Sequence, residues 1–146
     1  MIPVRVLLQN FLTYQGEGDE PVIFDFRGAK LWSIWGDNGA GKSAIFDAIT
    51  YCLFGVHRGG AGQGSDADLL RKGESRMHVG FEFEVSGTLY RVTRTLTRRR
   101  RRSGSLTDER TQQADWFDPQ DGVWRVIPGT ESKVGLADRA FLDWAM

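Results

Sequence analysis

The chain has 146 residues and a mass of 16.4 kDa, and its 19 lysines and arginines balance 19 aspartates and glutamates. This length is typical of one domain, and 40% hydrophobic with 26% charged residues excludes disordered, collagen-like and coiled-coil chains. No apolar run approaches the roughly 18 residues of a membrane-spanning helix, so we expect neither an anchor nor a signal peptide. One cysteine, Cys52, and two histidines, His57 and His78, predict no disulfide and no metal cluster, which suits a cytoplasmic protein.

Three strands and one helix are predicted before residue 56. Alternating apolar residues predict strands over residues 3–11 and 22–26. A short apolar run over residues 30–35 predicts a third strand, covered on both faces. Apolar residues at helical spacing then predict a helix over residues 43–54, which Gly55 would end.

Antiparallel hairpins are predicted in the second half of the chain. A glycine-rich loop over residues 59–64 precedes a brief helix, which Asp66 and Asp68 would open. Two alternating runs, residues 79–85 and 90–96, flank the turn Ser86-Gly87 and predict a tight hairpin. Residues 115–117 and 123–127 predict another hairpin, and residues 137–145 are weakly helical.

The charges are unevenly distributed along the neutral chain. Between Arg91 and Arg110, eight arginines stand against two acidic residues, and the sign reverses between Asp115 and Asp121. Five of these arginines are consecutive: Arg98, Arg99, Arg100, Arg101 and Arg102. Two interpretations stay open at this point, a solvated hairpin tip or a surface that contacts the DNA backbone.

One motif carries chemistry. The segment Gly36-Asp37-Asn38-Gly39-Ala40-Gly41-Lys42-Ser43 matches the phosphate-binding loop G-x-x-x-x-G-K-[ST], between a predicted strand and a predicted helix. Glycines allow backbone N–H groups to approach a phosphate closely, and the positive end of the following helix adds attraction. Lys42 would neutralise the outer phosphates of ATP, and the Ser43 hydroxyl would ligate Mg²⁺.

The catalytic part of such a site is missing from this sequence. Hydrolysis needs an aspartate, usually followed by a glutamate, at the end of an apolar strand downstream of the loop. The segment that comes nearest to this pattern, Phe141-Leu142-Asp143, is predicted to be weakly helical and has no neighbouring glutamate. No guanine-recognition motif is present either, which leaves a complete small nucleotide kinase or switch protein as a minor alternative.

The segment WGDNGAGKSAIFDAITYCLFG, residues 35–55, resembles the phosphate-loop segment of SbcC-type ATPases. These are bacterial members of the double-strand-break-repair family, related to the SMC and ABC-type ATPases. The strings VLLQNF, residues 6–11, and YRVTR, residues 90–94, resemble the family's first strand and its Y-x-[IV]-x-R strand. About 100 residues therefore follow the family pattern in order.

The resemblance implies a fold. It predicts an α/β P-loop ATPase lobe of the ABC type, with a mixed sheet, a phosphate-loop helix and an antiparallel β subdomain. Residues 1–58 would form the nucleotide-binding part, 59–76 the glycine-rich loop and short helix, 77–130 the β hairpins, and 131–146 the start of the next helix. This lobe is expected to be incomplete without a C-terminal lobe of the same parent chain.

The resemblance also implies residues and partners. Nucleotide contacts are expected from Gly36, Asn38, Gly39, Ala40, Gly41, Lys42, Ser43 and Ala44, with supporting roles for Asn10, Thr13 and Arg94. Ala44 replaces a second hydroxyl residue of many relatives, and Leu12 replaces a residue that is often basic. A second ATPase head, an SbcD-type nuclease and DNA are the expected partners, and ATP with Mg²⁺ the expected cofactors.

The residues that complete catalysis in the family are absent from this sequence. They are a glutamine that senses Mg²⁺ and the γ-phosphate, the signature motif, the Asp-Glu pair and the switch histidine. We therefore expect an N-terminal fragment of a longer protein, which couples ATP binding and hydrolysis to DNA break processing. The alternatives are a DNA-backbone-binding module and a nucleotide-site remnant without activity, since no catalytic residue lies within this chain.

Overall fold

The computed structural model describes residues 1–59 and 65–133. Within these ranges it contains one α-helix, one short 3-10 helix and seven strands. The elements are β1 (Ile2–Gln9), β2 (Val22–Asp25), α1 (Lys42–Phe54), the 3-10 helix (Ser65–Leu69), β3 (Arg76–Val85), β4 (Thr88–Arg100), β5 (Leu106–Asp118), β6 (Val123–Val126) and β7 (Ser132–Lys133). The weakly helical segment predicted at residues 137–145 lies outside the described residues.

The strands form one antiparallel sheet. Its order is β2-β1-β3-β4-β5-β6, and β7 pairs with β5. The hairpin predicted around Ser86-Gly87 is confirmed, because both turn residues have the positive φ angles, 50° and 81°, of a tight hairpin turn. The hairpin between β5 and β6 is confirmed as well. The predicted mixed sheet is wrong for the described residues, where every strand pair is antiparallel.

The strand predicted at residues 30–35 is wrong. This segment has no regular secondary structure, and Leu31 and Trp35 are each 89% exposed. Trp32 is half exposed, and its indole N–H donates to the carbonyl of Phe26 at 2.9 Å. The apolar pattern indicated a strand covered on both faces, but the part of the chain that the structure describes supplies no strand to pair with it.

The core lies between α1 and one face of the sheet. Val6 and Leu8 of β1 alternate inward, and so do Val79 and Phe81 of β3, as expected for strands with one buried face. Matching residues of α1 cover them: Ala44, Ile45, Ala48, Tyr51 and Cys52. Gly55 ends the helix in the left-handed conformation, φ 69°, as predicted.

The opposite face carries a row of alternating charges. Strand register places Asp25, Arg5, Glu82, Arg91 and Asp115 side by side on five neighbouring strands. Arg5 Nε lies 3.4 Å from Asp25 and 3.8 Å from Glu82, and Arg91 donates to Asp115 at 3.2 Å. Opposite charges on adjacent strands stabilise a sheet, so this row favours the observed register.

In the described residues, no helix is both long and apolar enough to cross a membrane.

The core assignment is testable with two leucines of the same hairpin. Leu96 of β4 is fully buried, whereas Leu106 of β5 is 58% exposed. Leu96→Ala should lower the free energy of unfolding by about 2–5 kcal/mol, because it removes buried methyl groups and leaves a cavity. Leu106→Ala, the control, should change it by less than about 0.5 kcal/mol. Equal losses in urea denaturation would contradict the proposed core.

Candidate nucleotide-binding site

The phosphate-loop motif forms an exposed turn that runs directly into α1. Residues 36–40 are all exposed, and the loop is closed by the N–H of Ala40, which donates to the carbonyl of Asp37 at 3.1 Å. Gly41 is the N-cap residue of α1 with φ 92°. A side chain at Gly41 would also collide with Thr13 Oγ1, so both the conformation and the close contact require glycine here.

The side chain of Lys42 lies over the loop. Its ammonium donates to the carbonyl of Gly36 and, at 2.7 Å, to the carbonyl of Asp37. The following residue, Ser43, is exposed on the first turn of the helix. A cation, an exposed hydroxyl and the N–H groups of a helix start therefore share one surface, which is the donor set that a phosphate with Mg²⁺ requires.

A tight turn after β1 contacts the start of the helix. The N–H of Phe11 donates to the carbonyl of Tyr14 at 2.8 Å, and the N–H of Tyr14 donates to the carbonyl of Phe11 at 2.9 Å. Leu12, between them, has the left-handed conformation. Arg71 holds the outside of the turn by donating to the carbonyl of Thr13 at 2.8 Å. On the inside, the hydroxyl of Tyr14 donates to the carbonyl of Gly41 at 3.1 Å.

Arg94 holds the other end of α1. Its guanidinium Nε donates to the carbonyl of Cys52 at 3.0 Å, and its Cζ lies 5.6 Å from the centre of the Tyr51 ring. The last turn of α1 contains no basic residue of its own. Arg94, from β4, thus supplies the positive charge that favours the carboxyl end of a helix.

Burial raises the pKa of the Cys52 thiol to about 12. The thiol, fully buried in the core, therefore stays protonated at neutral pH and is a poor nucleophile.

Two bidentate ion pairs flank the glycine-rich segment. Before it, Arg58 donates to Asp47 of α1 at 2.8 and 2.7 Å. After it, Arg110 of β5 donates to Asp66 at 2.7 and 2.8 Å, and the Tyr51 hydroxyl donates to the same carboxylate at 3.2 Å. Fork-shaped pairs of this kind are among the stronger hydrogen bonds in proteins, so they tie α1 to the neighbouring segments.

The structure brings together most, but not all, of the predicted site residues. Thr13 Oγ1 lies close to Gly41 of the loop, whereas the side-chain amide of Asn10 donates to the carbonyl of Arg76 at 2.9 Å. Ala44 is buried, and its N–H donates to the carbonyl of Gly41 at 2.9 Å. The first helical turn thus uses this N–H, and the expected contact between Ala44 and the nucleotide stays a prediction.

The five consecutive arginines divide into two groups. Arg98 donates to Asp108 at 2.8 and 3.0 Å, and Arg99 lies 3.6 Å from Glu109. We name Arg100, Arg101 and Arg102 the arginine tip; all three are exposed and have no acidic partner among the described residues. Because acidic residues of β5 pair with Arg98 and Arg99, the unpaired positive charge of this run lies, within the described part of the chain, only at the arginine tip.

Sequence reasoning missed Tyr14, Arg71 and Arg110. Only Tyr14 could have been found from the sequence, because it is a single aromatic residue in the polar, glycine-containing segment of residues 13–20. Arg71 and Arg110 act through contacts with residues about 40 to 60 positions away in sequence, which no local pattern indicates.

Comparison with known proteins identifies a family and several similar sequences. A family model described as an AAA domain matches residues 5–127. The chain is 31% identical over 137 residues to the SbcC component of the SbcCD nuclease of Deinococcus radiodurans, covering 93% of this chain and 14% of that relative. It is 40% identical over 99 residues to "DNA double-strand break repair Rad50 ATPase" of Thermoplasma volcanium, covering 68% of this chain and 10% of the relative. The chain thus spans only a small part of these relatives.

The Asp47–Arg58 pair predicts a pH dependence. Hydrogen bonds from Arg58 lower the pKa of Asp47 in the folded state. Ionised Asp47 therefore stabilises the fold above its unfolded pKa, roughly 4, and this contribution is lost as the pH falls through the lower folded pKa. The stability gap between wild type and Asp47→Asn should be large at pH 6 and close towards pH 2.

Urea denaturation at each pH measures that gap, with Asp19→Asn at an exposed position as the control. A gap that stays constant from pH 6 to pH 2, or widens as the pH falls, would show that ionised Asp47 does not stabilise the fold.

Proposed function

The chain belongs to the AAA domain family in its SbcC/Rad50-type branch, and from this membership we propose that it forms the N-terminal lobe of an ATPase head. The proposed head binds Mg-ATP and couples its hydrolysis to the processing of DNA double-strand breaks. The observation that carries the proposal is the phosphate-loop motif of residues 36–43: its exposed residues 36–40 form a closed turn that runs directly into the N-terminus of α1.

The residues present fit Mg-ATP. Gly39 and Gly41 leave the loop free of side chains that would block a phosphate, Lys42 brings a cation to it, and the Ser43 hydroxyl is exposed for the metal. Bound Mg²⁺ would neutralise charge on the phosphates. In the described residues, no group of three acidic, histidine or cysteine side chains is placed to hold a metal alone. The metal would therefore be held by the serine, the nucleotide and groups outside these residues.

Exposed apolar residues beside the loop support a second lobe. Phe46 and Phe54 of α1 are 62% and 57% exposed, and they share one helix stripe with Ser43 and Thr50. Leu31 and Trp35, in the segment before the loop, are exposed apolar residues as well. Large exposed apolar patches mark interaction sites. We propose that a C-terminal lobe of the parent chain covers this surface and supplies the missing catalytic residues, so that this lobe alone is inactive.

Further partners follow from the relatives. The relative from Deinococcus radiodurans is named as a component of the SbcCD nuclease, which supports a nuclease of the SbcD type as the partner of the parent protein. A second ATPase head, DNA and a cytoplasmic location complete the proposal. The division into residues 1–58, 59–76, 77–130 and 131–146 belongs to the same proposal.

Lys42→Ala tests the nucleotide site. With the C-terminal lobe of a relative supplied in trans, the wild-type chain should bind Mg-ATP, and Lys42→Ala should weaken binding at least tenfold, because charge-assisted phosphate contacts contribute about 1.5–3 kcal/mol each. Lys72→Ala, at an exposed lysine elsewhere, is the matched control. Equal affinities of Lys42→Ala and wild type in calorimetry would overturn the site assignment.

The arginine tip supports a second function, contact with the DNA backbone. Exposed Arg100 ends β4, and exposed Arg101 and Arg102 lie in the turn before β5. Two backbone hydrogen bonds close this turn: the Arg101 N–H donates to the carbonyl of Ser105 at 2.8 Å, and the Gly104 N–H donates to the carbonyl of Arg101 at 2.9 Å. Since Arg98 and Arg99 are already paired with acidic residues, we assign the DNA contact to the tip alone.

Salt dependence tests the tip. Replacing Arg100, Arg101 and Arg102 by serine should flatten the slope of log K against log salt for duplex DNA by about 2 to 3 units, since each phosphate contact contributes roughly 0.9. The control Arg98→Ser/Arg99→Ser should change the slope by less than about 1 unit. An unchanged slope in the triple variant would remove the tip from the DNA interface.

A further inference from the structure

Tyr14, which lies outside the phosphate-loop motif, hydrogen-bonds the backbone of that loop at its last glycine, Gly41. The hydroxyl of Tyr14 donates to the carbonyl of Gly41, 3.1 Å away. The N–H of Ala44 donates to the same oxygen at 2.9 Å. The Gly41 carbonyl thus accepts two hydrogen bonds, one from the first turn of α1 and one from a side chain 27 positions earlier in the sequence.

Three contacts hold the Tyr14 side chain and its turn in place. The ring packs edge-on against Phe24 of β2, with centroids 5.4 Å apart at 81°. The backbone bonds to Phe11 and the Arg71 bond to Thr13 fix the turn itself. Burial also raises the pKa of Tyr14, so its hydroxyl stays protonated and can donate at neutral pH. The sheet therefore presents a fixed donor to a glycine carbonyl.

That carbonyl belongs to the peptide joining Gly41 to Lys42, where orientation matters. A trans peptide is planar, so its N–H points opposite to its C=O. Gly41 lacks Cβ and can adopt many backbone angles, which leaves this peptide free to rotate unless something holds it. With the carbonyl held towards Tyr14 and the helix, the N–H of Lys42 points outward from the helix start, where no intrahelical acceptor exists.

We infer that Tyr14 is a positioning residue of the phosphate loop: its hydroxyl, acting through the Gly41 carbonyl, orients the Lys42 N–H towards a bound phosphate. This inference rests on the proposed function, because it assigns a role within the proposed Mg-ATP site. The hydroxyl of Tyr14 bonds a loop carbonyl, so its role is carried by one backbone peptide. The ligand group concerned is the polyphosphate, not the base or the sugar.

Tyr14→Phe tests the inference, since it keeps the ring and its packing on Phe24 and removes the hydroxyl. In the full chain with the C-terminal lobe, the Kd for Mg-ATP and for tripolyphosphate should rise together by about three- to tenfold, the effect of one hydrogen bond. The melting temperature without ligand should change little, while its increase on adding Mg-ATP should shrink. Tyr90→Phe, in β4, is the control and should bind both ligands as wild type does.

Different outcomes separate this inference from the proposed function. If wild type binds Mg-ATP and Tyr14→Phe binds it within twofold, the positioning role is wrong and the site stands. If wild type binds neither ligand, the proposed function and this inference both fail. If Tyr14→Phe lowers the ligand-free melting temperature markedly, amide hydrogen exchange at residues 41–45 of that variant decides. Exchange no faster there than across the rest of α1 would overturn the inference, and selectively faster exchange would support it.

Discussion

The position of the phosphate loop depends on how α1 is held against the sheet. The helix packs on β1, β3 and β4 along its buried face, and each of its ends meets a side chain from the sheet or from a turn attached to it. Tyr14 bonds the N-cap carbonyl, and Arg94 bonds a carbonyl in the last turn. Arg94 satisfies one of the carbonyls that the end of a helix leaves without an intrahelical partner, and Tyr14 adds a second hydrogen bond to a carbonyl that the first turn already uses. The two contacts together hold both ends of α1. Because the phosphate loop runs directly into α1, its position on the sheet is fixed by that of the helix.

Most charged side chains at the centre of this neutral chain are paired with a neighbour of opposite charge. The row from Asp25 to Asp115 crosses five strands, and Arg98 and Arg110 are each paired with an aspartate. Buried Asp47 and Asp66 each receive two hydrogen bonds from an arginine, so their charges are compensated and do not oppose folding. Among the described residues, the arginine tip keeps three adjacent cations without an acidic partner, and its exposure makes them available to a polyanion.

Much of the fold was predictable from local patterns. The spacing of Ile45, Ala48 and Cys52 predicted α1, and Gly55 its end, because periodicity and a left-handed cap are local signals. The hairpins were predictable for the same reason. The segment around Leu31 and Trp35 was not, since an apolar run shows that a segment needs cover but not where the cover comes from. At the site, the motif identified Gly41 and Lys42, and the family resemblance singled out Arg94. Tyr14 was missed because it acts through a distant contact that only the folded chain brings about.

The central claim is that this chain forms the phosphate-binding half of a composite nucleotide site. Sedimentation velocity of the chain mixed with an equimolar C-terminal lobe, with and without Mg-ATP, tests it most directly. The account predicts a one-to-one complex that Mg-ATP strengthens, because binding at a shared site stabilises the associated state. Separate sedimentation of the two components at micromolar concentration, unchanged by Mg-ATP, would contradict it.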